Sequence, residues 1–314
     1  MKAACLGNIT TDVSVYKDGF IEEDRRNNFE GFNISPGGPA SNAAYLLSKY
    51  GNNVDLYGQI GNDINGQIIY QQMQQENLNV KHISVSNNVM TPYSFIINNN
   101  LNGSRTICAV RSEKDYNNAT IEKIEYENDY DYILIDGKYP EESMILLCKN
   151  PSATSIIDAG RVSDEMLLLC NYADYIVCSE DFANKVLGKT ISYDIEKDKI
   201  IYQELKDYFP FAEKLVITIG GHGYICEKDD EIINMPAYES CYKTVDTSGA
   251  GDIFHGAFVH ALGNGYTFYD ALEFANVTAS LSTTKRGGRY SVPELEEVEN
   301  ILKENKIKKK EKRV

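Results

Sequence analysis

A run of seven small and acidic residues, D-T-S-G-A-G-D from Asp246 to Asp252, carries the clearest chemical signal in the sequence. It precedes an apolar-periodic stretch, IFHGAFVHAL, that predicts a helix. Gly249 and Gly251 let an anion approach the backbone, and the first N–H groups of a helix are unpaired. Asp252 is placed to accept a proton from an attacking hydroxyl. The run predicts phosphoryl transfer more strongly than an acid that merely stabilises a helix N-terminus by about 0.3–1 kcal/mol.

A second glycine-led run, G-G-P-A-S-N from Gly37 to Asn42, also stands before a predicted helix. Paired glycines again allow close approach to the backbone, and the amide of Asn42 can donate to and accept from the hydroxyls of a polyol. A tight turn followed by a helix cap explains the same residues equally well. Both interpretations stay open on this run alone.

Three basic residues are candidates for substrate contact. Arg105 begins a predicted hairpin strand, and Lys138 and Arg161 follow predicted strands. Open α/β sheets bind ligands at the C-terminal ends of their strands, where such cations suit a carboxylate, phosphate or sulfonate group. Solvated surface charge is the alternative for each of them.

Short β-rich runs alternate with helical stretches along most of the chain. This alternation predicts an α/β domain with a mostly parallel central sheet between layers of helices. The predicted strands are 3–6, 55–60, 132–136, 155–158, 175–178 and 215–219, and the predicted helices are 41–50, 66–75, 141–149, 195–208, 253–262 and 268–284.

Two half-polar segments break that alternation. Residues 12–35 predict short strands with turns, and residues 95–98 with 105–110 predict a hairpin whose link contains the turn pair Asn102-Gly103. We expect a small exposed β-sheet attached to the α/β body as a flap, formed by about 12–35 and 93–110.

Composition bounds the possible functions. The 314 residues carry a net charge of −15, which argues against a nucleic-acid partner. The tail 303–314 is basic (+5), which leaves −20 for residues 1–302, and we expect it to be a solvated, partly helical terminus. Seven scattered cysteines predict neither disulfides nor a zinc site. With no apparent signal peptide or membrane span, a cytoplasmic protein is expected.

Two further patterns lead away from other enzyme classes. Gly188-Lys189-Thr190 lacks the earlier glycine of a phosphate-binding P-loop, so it predicts a helix end followed by a turn. No G-x-G-x-x-G run is present, which disfavours a dehydrogenase. His255 and His260 are five positions apart and are expected to be packed or surface residues rather than metal ligands.

The chain resembles the ribokinase-like, or PfkB, family of carbohydrate kinases. The family signature D-T-x-G-A-G-D is matched at every position from Asp246 to Asp252, and the G-G-x-x-x-N signature is matched from Gly37 to Asn42. The resemblance extends from residue 6 to residue 293. It implies one catalytic domain over 1–302, a three-layer α/β/α body with a small β-sheet lid, and ATP with Mg²⁺ as cofactors. The segment 303–314 lies outside it as a basic tail.

The resemblance also implies roles for individual residues. Asp252 would be the catalytic base, and the amides of Gly249, Ala250 and Gly251 would form the anion hole. The other implied contacts are Asp12, Gly38 and Asn42 with the sugar, Thr218, Gly220 and Gly223 with the nucleotide, Asn276 beside the adenine, and Asp246 and Ser291 with a monovalent cation such as K⁺. Arg105 is also expected to contact the substrate, because a cation at this position suits a carboxylate, phosphate or sulfonate group.

One departure from the family concerns magnesium. The usual N-x-x-E is replaced by Ser179-Glu180-Asp181-Phe182, so Glu180 or Asp181 would have to take over, and Glu180 is the predicted Mg²⁺ residue. The expected reaction is ATP-dependent phosphorylation of a hydroxyl on a ribose, fructose or 2-keto-3-deoxy acid type of substrate. A nucleoside kinase and a non-catalytic sugar or nucleotide sensor are the alternatives, and a homodimer through the lid is a further possibility.

Overall fold

The computed structural model describes residues 1–110, 120–122 and 124–311. Within them the strands are β1 (Lys2–Leu6), β2 (Thr10–Lys17), β3 (Glu30–Gly37), β4 (Asn53–Gly61), β5 (Ile83–Ser86), β6 (Tyr93–Asn99), β7 (Arg105–Val110), β8 (Tyr132–Ile135), β9 (Thr154–Ala159), β10 (Tyr175–Ser179), β11 (Lys214–Thr218), β12 (Tyr224–Lys228) and β13 (Glu231–Met235). The helices are α1 (Pro39–Lys49), α2 (Ile64–Gln75), α3 (Pro140–Lys149), α4 (Asp164–Cys170), α5 (Glu180–Leu187), α6 (Ile195–Tyr208), α7 (Ala250–Gly263), α8 (Phe268–Ser282) and α9 (Leu295–Glu311).

The large sheet has nine strands among the described residues, in the order β13-β12-β11-β10-β9-β8-β1-β4-β5. Pairing is parallel from β11 to β5, and the β11–β12 and β12–β13 pairs at one edge are antiparallel. The predicted mostly parallel α/β sheet is therefore confirmed. The carboxyl ends of β1, β8, β9 and β10 lie side by side at one edge of the sheet.

Helices cover both faces of this sheet, and strand β1 shows why. Ala3 and Cys5 belong to a core that also contains buried residues of α1, α7, α8 and α9. Ala4 and Leu6 point the other way, into a second core shared with α3, α4, α5 and α6. Because successive residues of a strand face opposite sides, a continuously apolar strand needs cover on both. The predicted three-layer α/β/α arrangement follows.

The two glycine-led helices begin earlier than predicted. Helix α1 starts at Pro39 after Gly38, whose φ is +96°, and α7 starts at Ala250 after Gly249, whose φ is +73°. A side chain on Gly38 would place its Cβ 2.1 Å from the carbonyl oxygen of Asn8. The apolar periodicity that predicted these helices begins a few residues inside each of them. The helices themselves begin directly after the glycines, where the chain turns. Asn42 and Asp252 consequently both lie in a first helical turn.

The other predicted elements are also present. Among the described elements, β5, β12, β13 and α4 were not predicted, while α5 was predicted only by its end and α9 only by its basic, partly helical tail. Strand β13 is the partly polar edge strand, and β12 beside it is short and ends in two charged residues, so neither has the long apolar run that marks a buried parallel strand. Helix α5 ends at Leu187 and Gly188 follows it, as predicted for the Gly188-Lys189-Thr190 turn.

A second, four-stranded sheet has the order β3-β2-β6-β7 among the described residues. The predicted hairpin is present as β6 and β7, with antiparallel pairing. The sheet was expected to be exposed, and this holds for only part of it. All of β7 is exposed, but β2 lies between two strands and buries Val13, Val15 and Tyr16. Burial of β2 ties the small sheet to the α/β body.

Helix α9 continues through residues 303–311 of the basic tail, and residues 312–314 lie outside the described part of the chain. None of the helices that the structure describes has the length and apolar content to cross a bilayer.

We predict that Gly223→Ala lowers the free energy of unfolding by about 3 kcal/mol or more. Gly223 follows β11 with φ +100° and ψ −126°, and a Cβ there would lie 1.9 Å from the carbonyl oxygen of Met235. Urea denaturation measures the change. Gly221→Ala is the matched control in the same turn, because an added Cβ meets no atom within 4 Å there. Equal stability of the two variants would contradict the prediction.

Candidate active site

The N-termini of α1 and α7 meet near the carboxyl ends of β1 and β8. Gly256 allows the close contact, since a Cβ at this position would lie 2.9 Å from the carbonyl oxygen of Ala43. Across the contact, Nδ2 of Asn42 donates a hydrogen bond of 2.6 Å to Oδ2 of Asp252. The fold thus joins the two glycine-led runs through residues 210 positions apart.

Asp136 fixes the beginning of α1 to the large sheet. It follows β8, and its Oδ2 accepts hydrogen bonds from the backbone N–H groups of Asn8 at 2.8 Å and Ala40 at 3.4 Å. Its Oδ1 accepts from the N–H of Lys138 at 3.0 Å. Gly7 has no side chain here, and a Cβ on it would clash with the Asp136 carboxyl group. One carboxylate therefore connects three loops at the sheet edge.

A cavity of about 260 Å³ lies beside the Asn42–Asp252 contact. Most of the residues predicted to bind substrate or carry out chemistry line it. They are Asp12, Gly38, Asn42, Arg105, Gly249, Gly251 and Asp252. Ala250, Lys138 and Arg161 are not among the lining residues. Four separate parts of the chain therefore contribute these residues to one polar cavity.

Two carboxyl groups of the cavity have shifted acidities. Burial raises the pKa of Asp252, while the hydrogen bond from Asn42 and the charges of His255, Arg105 and Arg289 act in the opposite direction. Burial also raises the pKa of Asp12 to about 6, although Oδ1 of Asp12 accepts a hydrogen bond of 2.8 Å from Thr10 Oγ1. A carboxylate that titrates near neutrality is suited to taking up a proton.

The residues just before the Gly249–Gly251 turn bind the small sheet. Oδ2 of Asp246 accepts a hydrogen bond of 3.0 Å from the Tyr16 hydroxyl on β2. Thr247 Oγ1 donates to the carbonyl oxygen of Gly103 at 3.0 Å and accepts from Nη1 of Arg105 at 2.8 Å. Ser248 Oγ donates to Oδ1 of Asn98 at 3.1 Å. Three consecutive residues of the 246–252 run therefore hold the small sheet against the site.

The residues predicted to bind a monovalent cation have protein partners. Both carboxylate oxygens of Asp246 accept hydrogen bonds, Oδ1 from Ser248 N–H at 2.9 Å and Oδ2 from Gly287 N–H at 3.1 Å as well as from Tyr16. Ser291 Oγ donates to the carbonyl oxygen of Gly288 at 2.7 Å. Through these contacts Asp246 and Ser291 hold the 287–291 turn that precedes α9.

The predicted nucleotide-binding residues lie apart from the lining of that cavity. Thr218 ends β11 and donates from Oγ1 to the carbonyl oxygen of Cys178 at 3.2 Å. Gly220 and Gly223 bracket a 3-10 turn, Gly220–His222. The amide of Asn276 on α8 donates to the carbonyl oxygen of Pro236 at 2.9 Å and accepts from Tyr238 N–H at 3.3 Å. Asn276 thus holds the loop after β13.

Glu180 stands in the first turn of α5, close to the turn after β11. Its two carboxylate oxygens accept from the Tyr193 hydroxyl at 2.9 and 3.1 Å. The Tyr193 ring in turn stacks on His222, with ring centroids 3.9 Å apart. Tyr193 therefore links the predicted magnesium residue with the predicted nucleotide loop.

Arg289 is a cavity residue that the sequence did not reveal. It is buried, and its guanidinium donates to Oγ and the carbonyl oxygen of Ser41 at 3.2 and 3.1 Å. It also lies 3.5 Å from a carboxylate oxygen of Glu76 and over the ring of Tyr45. Its position between Gly288 and Ser291 was the available signal, but nothing in that pattern separates a buried arginine from a surface one.

We predict that the stability of Asp12→Asn, relative to wild type, rises between about pH 4 and pH 6. The folded chain holds the Asp12 proton up to about pH 6, whereas an unfolded aspartate releases it near pH 3.9. The wild-type chain therefore loses stability as pH rises through this window, by on the order of 3 kcal/mol. Above it the difference is constant.

Urea denaturation of both chains from pH 4 to pH 8 measures the effect. The exposed Asp18→Asn is the control and should follow the wild-type chain at every pH. A pH-independent stability difference between Asp12→Asn and wild type would show that the buried carboxyl titrates normally.

Comparison with known proteins supports one family. The model of the pfkB family of carbohydrate kinases matches residues 1–295. A ribokinase of Lactococcus lactis is 24% identical over 317 residues, covering 98% of this chain and 98% of its own length. Two solved ribokinases share the fold. That of Cryptococcus neoformans, solved with ADP, has a TM-score of 0.79 at 20% identity and covers 95% of this chain and 99% of its own. That of Arabidopsis thaliana, solved with ribose and ATP, has a TM-score of 0.73 at 19% identity and covers 96% and 98%.

The family match includes both glycine-led runs, the parallel sheet that carries them and the small sheet that packs over the cavity. It ends at the first residue of α9 and leaves out the rest of that helix. The chain therefore belongs to the pfkB family of carbohydrate kinases.

Proposed function

We propose that this kinase transfers the γ-phosphoryl group of ATP to a hydroxyl of a small sugar or sugar derivative of the ribose, fructose or 2-keto-3-deoxy sugar acid type. Asp252 is the general base, and the amides of residues 249–251 form the anion hole. The observation that carries the proposal is the position of Asp252, hydrogen-bonded by Asn42 at the wall of a polar cavity and next to an open glycine turn.

The proposed reaction transfers one proton and one phosphoryl group. The substrate hydroxyl gives its proton to the Asp252 carboxylate while its oxygen forms a bond to the γ-phosphorus. The bond from that phosphorus to the oxygen bridging it to the β-phosphate breaks, and ADP leaves. Negative charge on the transferring group is stabilised by N–H groups at the start of α7, since they lie at the positive end of the helix dipole. Of these groups, the Ala250 N–H also donates to the carbonyl oxygen of Thr247 at 3.3 Å.

The cavity suits a small polyol. Its volume of about 260 Å³ is below the roughly 300–1,000 Å³ of sites for drug-sized ligands. Asp12 and Asn42 offer acceptors and donors for hydroxyl groups, Gly38 leaves room for the ring, and Arg105 supplies a positive charge at the lid. Asp12 faces the cavity from β2, opposite the helix that carries Asp252, so a sugar between them would be held from both sides.

ATP is proposed to bind along the turn after β11. A Cβ added at Gly220, Gly221 or Gly251 meets no atom within 4 Å, so these turns leave space for phosphate groups. Thr218, Gly220 and Gly223 are the proposed phosphate and ribose contacts, and Asn276 lies beside the proposed adenine position. Because the amide of Asn276 already holds the 236–238 loop, its role there is to shape the adenine site.

Mg²⁺ and a monovalent cation complete the proposal. Carboxylate and hydroxyl oxygens are suitable donors for both kinds of ion. Glu180 would hold Mg²⁺ together with the ATP phosphates, where the ion neutralises charge on the phosphates. Asp246 and Ser291 would border the site of a monovalent cation such as K⁺, which would stiffen the turn before α9.

The small sheet is proposed to act as a lid that excludes water from the sugar. The edge strands of the small sheet expose Phe32, Ile107 and Val110, which are 68%, 52% and 52% accessible, and Ile107 also lines the cavity. Apolar side chains on an exposed edge strand favour association. A homodimer through the lid is therefore part of the proposal, and analytical ultracentrifugation tests it.

We predict that Asp252→Asn folds normally but lowers kcat by about 10²–10⁴-fold, because an amide cannot take the proton of the hydroxyl. Coupled detection of ADP measures kcat, and circular dichroism checks the fold. Asp270→Asn is the matched control. Asp270 also stands in a first helical turn, but in α8, which packs on α7 and begins beside the far end of that helix. Turnover of Asp252→Asn within twofold of wild type would exclude Asp252 as the base.

A ligand panel identifies the substrate class. We expect aldoses, ketoses or 2-keto-3-deoxy acids, with a nonhydrolysable ATP analogue, to raise the thermal unfolding temperature more than nucleosides do. Coupled ADP detection on the same panel then measures phosphorylation. A larger shift with nucleosides would favour the nucleoside kinase, and stabilisation by ligands without any ADP formation would favour the sensor.

A further inference from the structure

His255 is a buried histidine one turn after Asp252 on the same helix. Only about 4% of its surface is accessible. Its Nδ1 lies 2.7 Å from the carbonyl oxygen of Gly251, and its Nε2 lies 3.1 Å from the carbonyl oxygen of Val177 on β10. A carboxylate oxygen of Asp158 on β9 is 3.4 Å from Nδ1. Every oxygen that the ring nitrogens face is therefore an acceptor.

This set of partners determines which form of the ring fits. A neutral imidazole has one N–H donor and one bare nitrogen, whereas an imidazolium has two donors. With a neutral ring, one bare ring nitrogen would face a carbonyl oxygen inside the protein with no proton between them. The hydrogen-bonding pattern is satisfied on both sides only when His255 is charged.

His260, on the same helix, has the opposite surroundings. Its Nδ1 faces the amide nitrogens of Asn52 at 2.7 Å and Asn264 at 3.3 Å, so it serves as an acceptor. Burial lowers the pKa of His260 to about 4. The two buried histidines of α7 thus differ in their partners. The ring nitrogens of His255 face only acceptors, whereas Nδ1 of His260 faces donors.

The charge of His255 lies among carboxylates. Asp158 and Asp252 both interact with it, and Asp136 lies close enough to raise the pKa of Asp158. Burial raises the pKa of Asp158 to about 6, and the positive charge of His255 opposes that rise. The other charged or titratable groups around this cluster are Asp12 on β2, Cys178 on β10, Arg105 on β7 and Arg289 in the turn before α9.

We propose that His255 is a positioning residue of the phosphoryl-transfer site, whose imidazolium holds the Gly251 carbonyl and keeps Asp252 ionised among the neighbouring carboxylates. The catalytic part of this inference rests on the proposed function. The charge state of His255 does not, since it follows from the hydrogen-bond partners alone. Without that charge, Asp252 would hold its proton to a higher pH and would be a poorer base near neutrality.

The charge state is tested directly on the wild-type chain. The protein has four histidines, so ¹⁵N-histidine labelling gives few signals, which single His→Gln variants of His82, His222 and His260 assign by elimination. We expect both ring nitrogens of His255 to carry protons at pH 7. A bare nitrogen in His255 at pH 7 overturns the proposal, whatever the activity of the enzyme.

The effect on Asp252 is tested by the pH dependence of kcat/KM with the substrate found in the ligand panel. His255→Gln should move the acidic limb of the profile upward by about one pH unit, with a smaller loss of kcat at alkaline pH than at pH 6. His260→Gln is the control, and its acidic limb should coincide with that of wild type. Coincidence of the His255→Gln limb with wild type overturns the proposal.

Together, the labelling and kinetic measurements distinguish failure of the proposed function from failure of the proposed role of His255. If the nitrogen signals show the charged ring but Asp252→Asn turns over as wild type does, the proposed function fails while the charge of His255 stands. If Asp252→Asn is inactive and the His255→Gln limb does not move, the proposed function stands and the role of His255 is refuted. The labelling experiment needs no folded His255 variant, so it remains decisive if His255→Gln is unstable.

Discussion

The close approach of α1 and α7 is the constraint on which the rest of the site depends. It places two first helical turns against each other and allows the 2.6 Å hydrogen bond between Asn42 and Asp252. The absence of a side chain at Gly256 makes the approach possible, and the glycines before each helix let the chain enter it directly. A larger side chain at Gly256 would force the helices apart and would open the cavity between them.

The site handles negative charge locally in a protein that is acidic overall. Residues 1–302 carry a net charge of −20, and the cavity itself contains Asp12 and Asp252. Arg105 and Arg289 line the same cavity and, with the positive end of the α7 dipole, oppose this negative charge. Salt screens such short-range interactions poorly, so these groups rather than the net charge determine the electrostatics of the cavity.

Most of the architecture and much of the site were predictable, because both depend on local sequence patterns. Apolar runs predicted the buried parallel strands, and the two glycine-led runs predicted Asn42, Gly249 and Asp252 as site residues. Arg289 and the partners of His255 could not be predicted in this way. Their environments are made by residues far away in sequence, such as Ser41 for Arg289 and Val177 for His255. Asn276 shows the same limit, since its amide is engaged by a loop about 40 positions earlier.

The hydrogen bonds from Asp246, Thr247 and Ser248 to the small sheet limit how the substrate specificity of such an enzyme can be altered. The small sheet carries Asp12 and Arg105, two residues of the proposed substrate site, so substrate specificity would be expected to vary there. The same sheet holds the backbone that leads into the Gly249–Gly251 turn, through Tyr16, Gly103 and Asn98. A lid transplanted from a relative would therefore need to bring matching partners for residues 246–248, or the graft would alter the chemistry along with the selectivity.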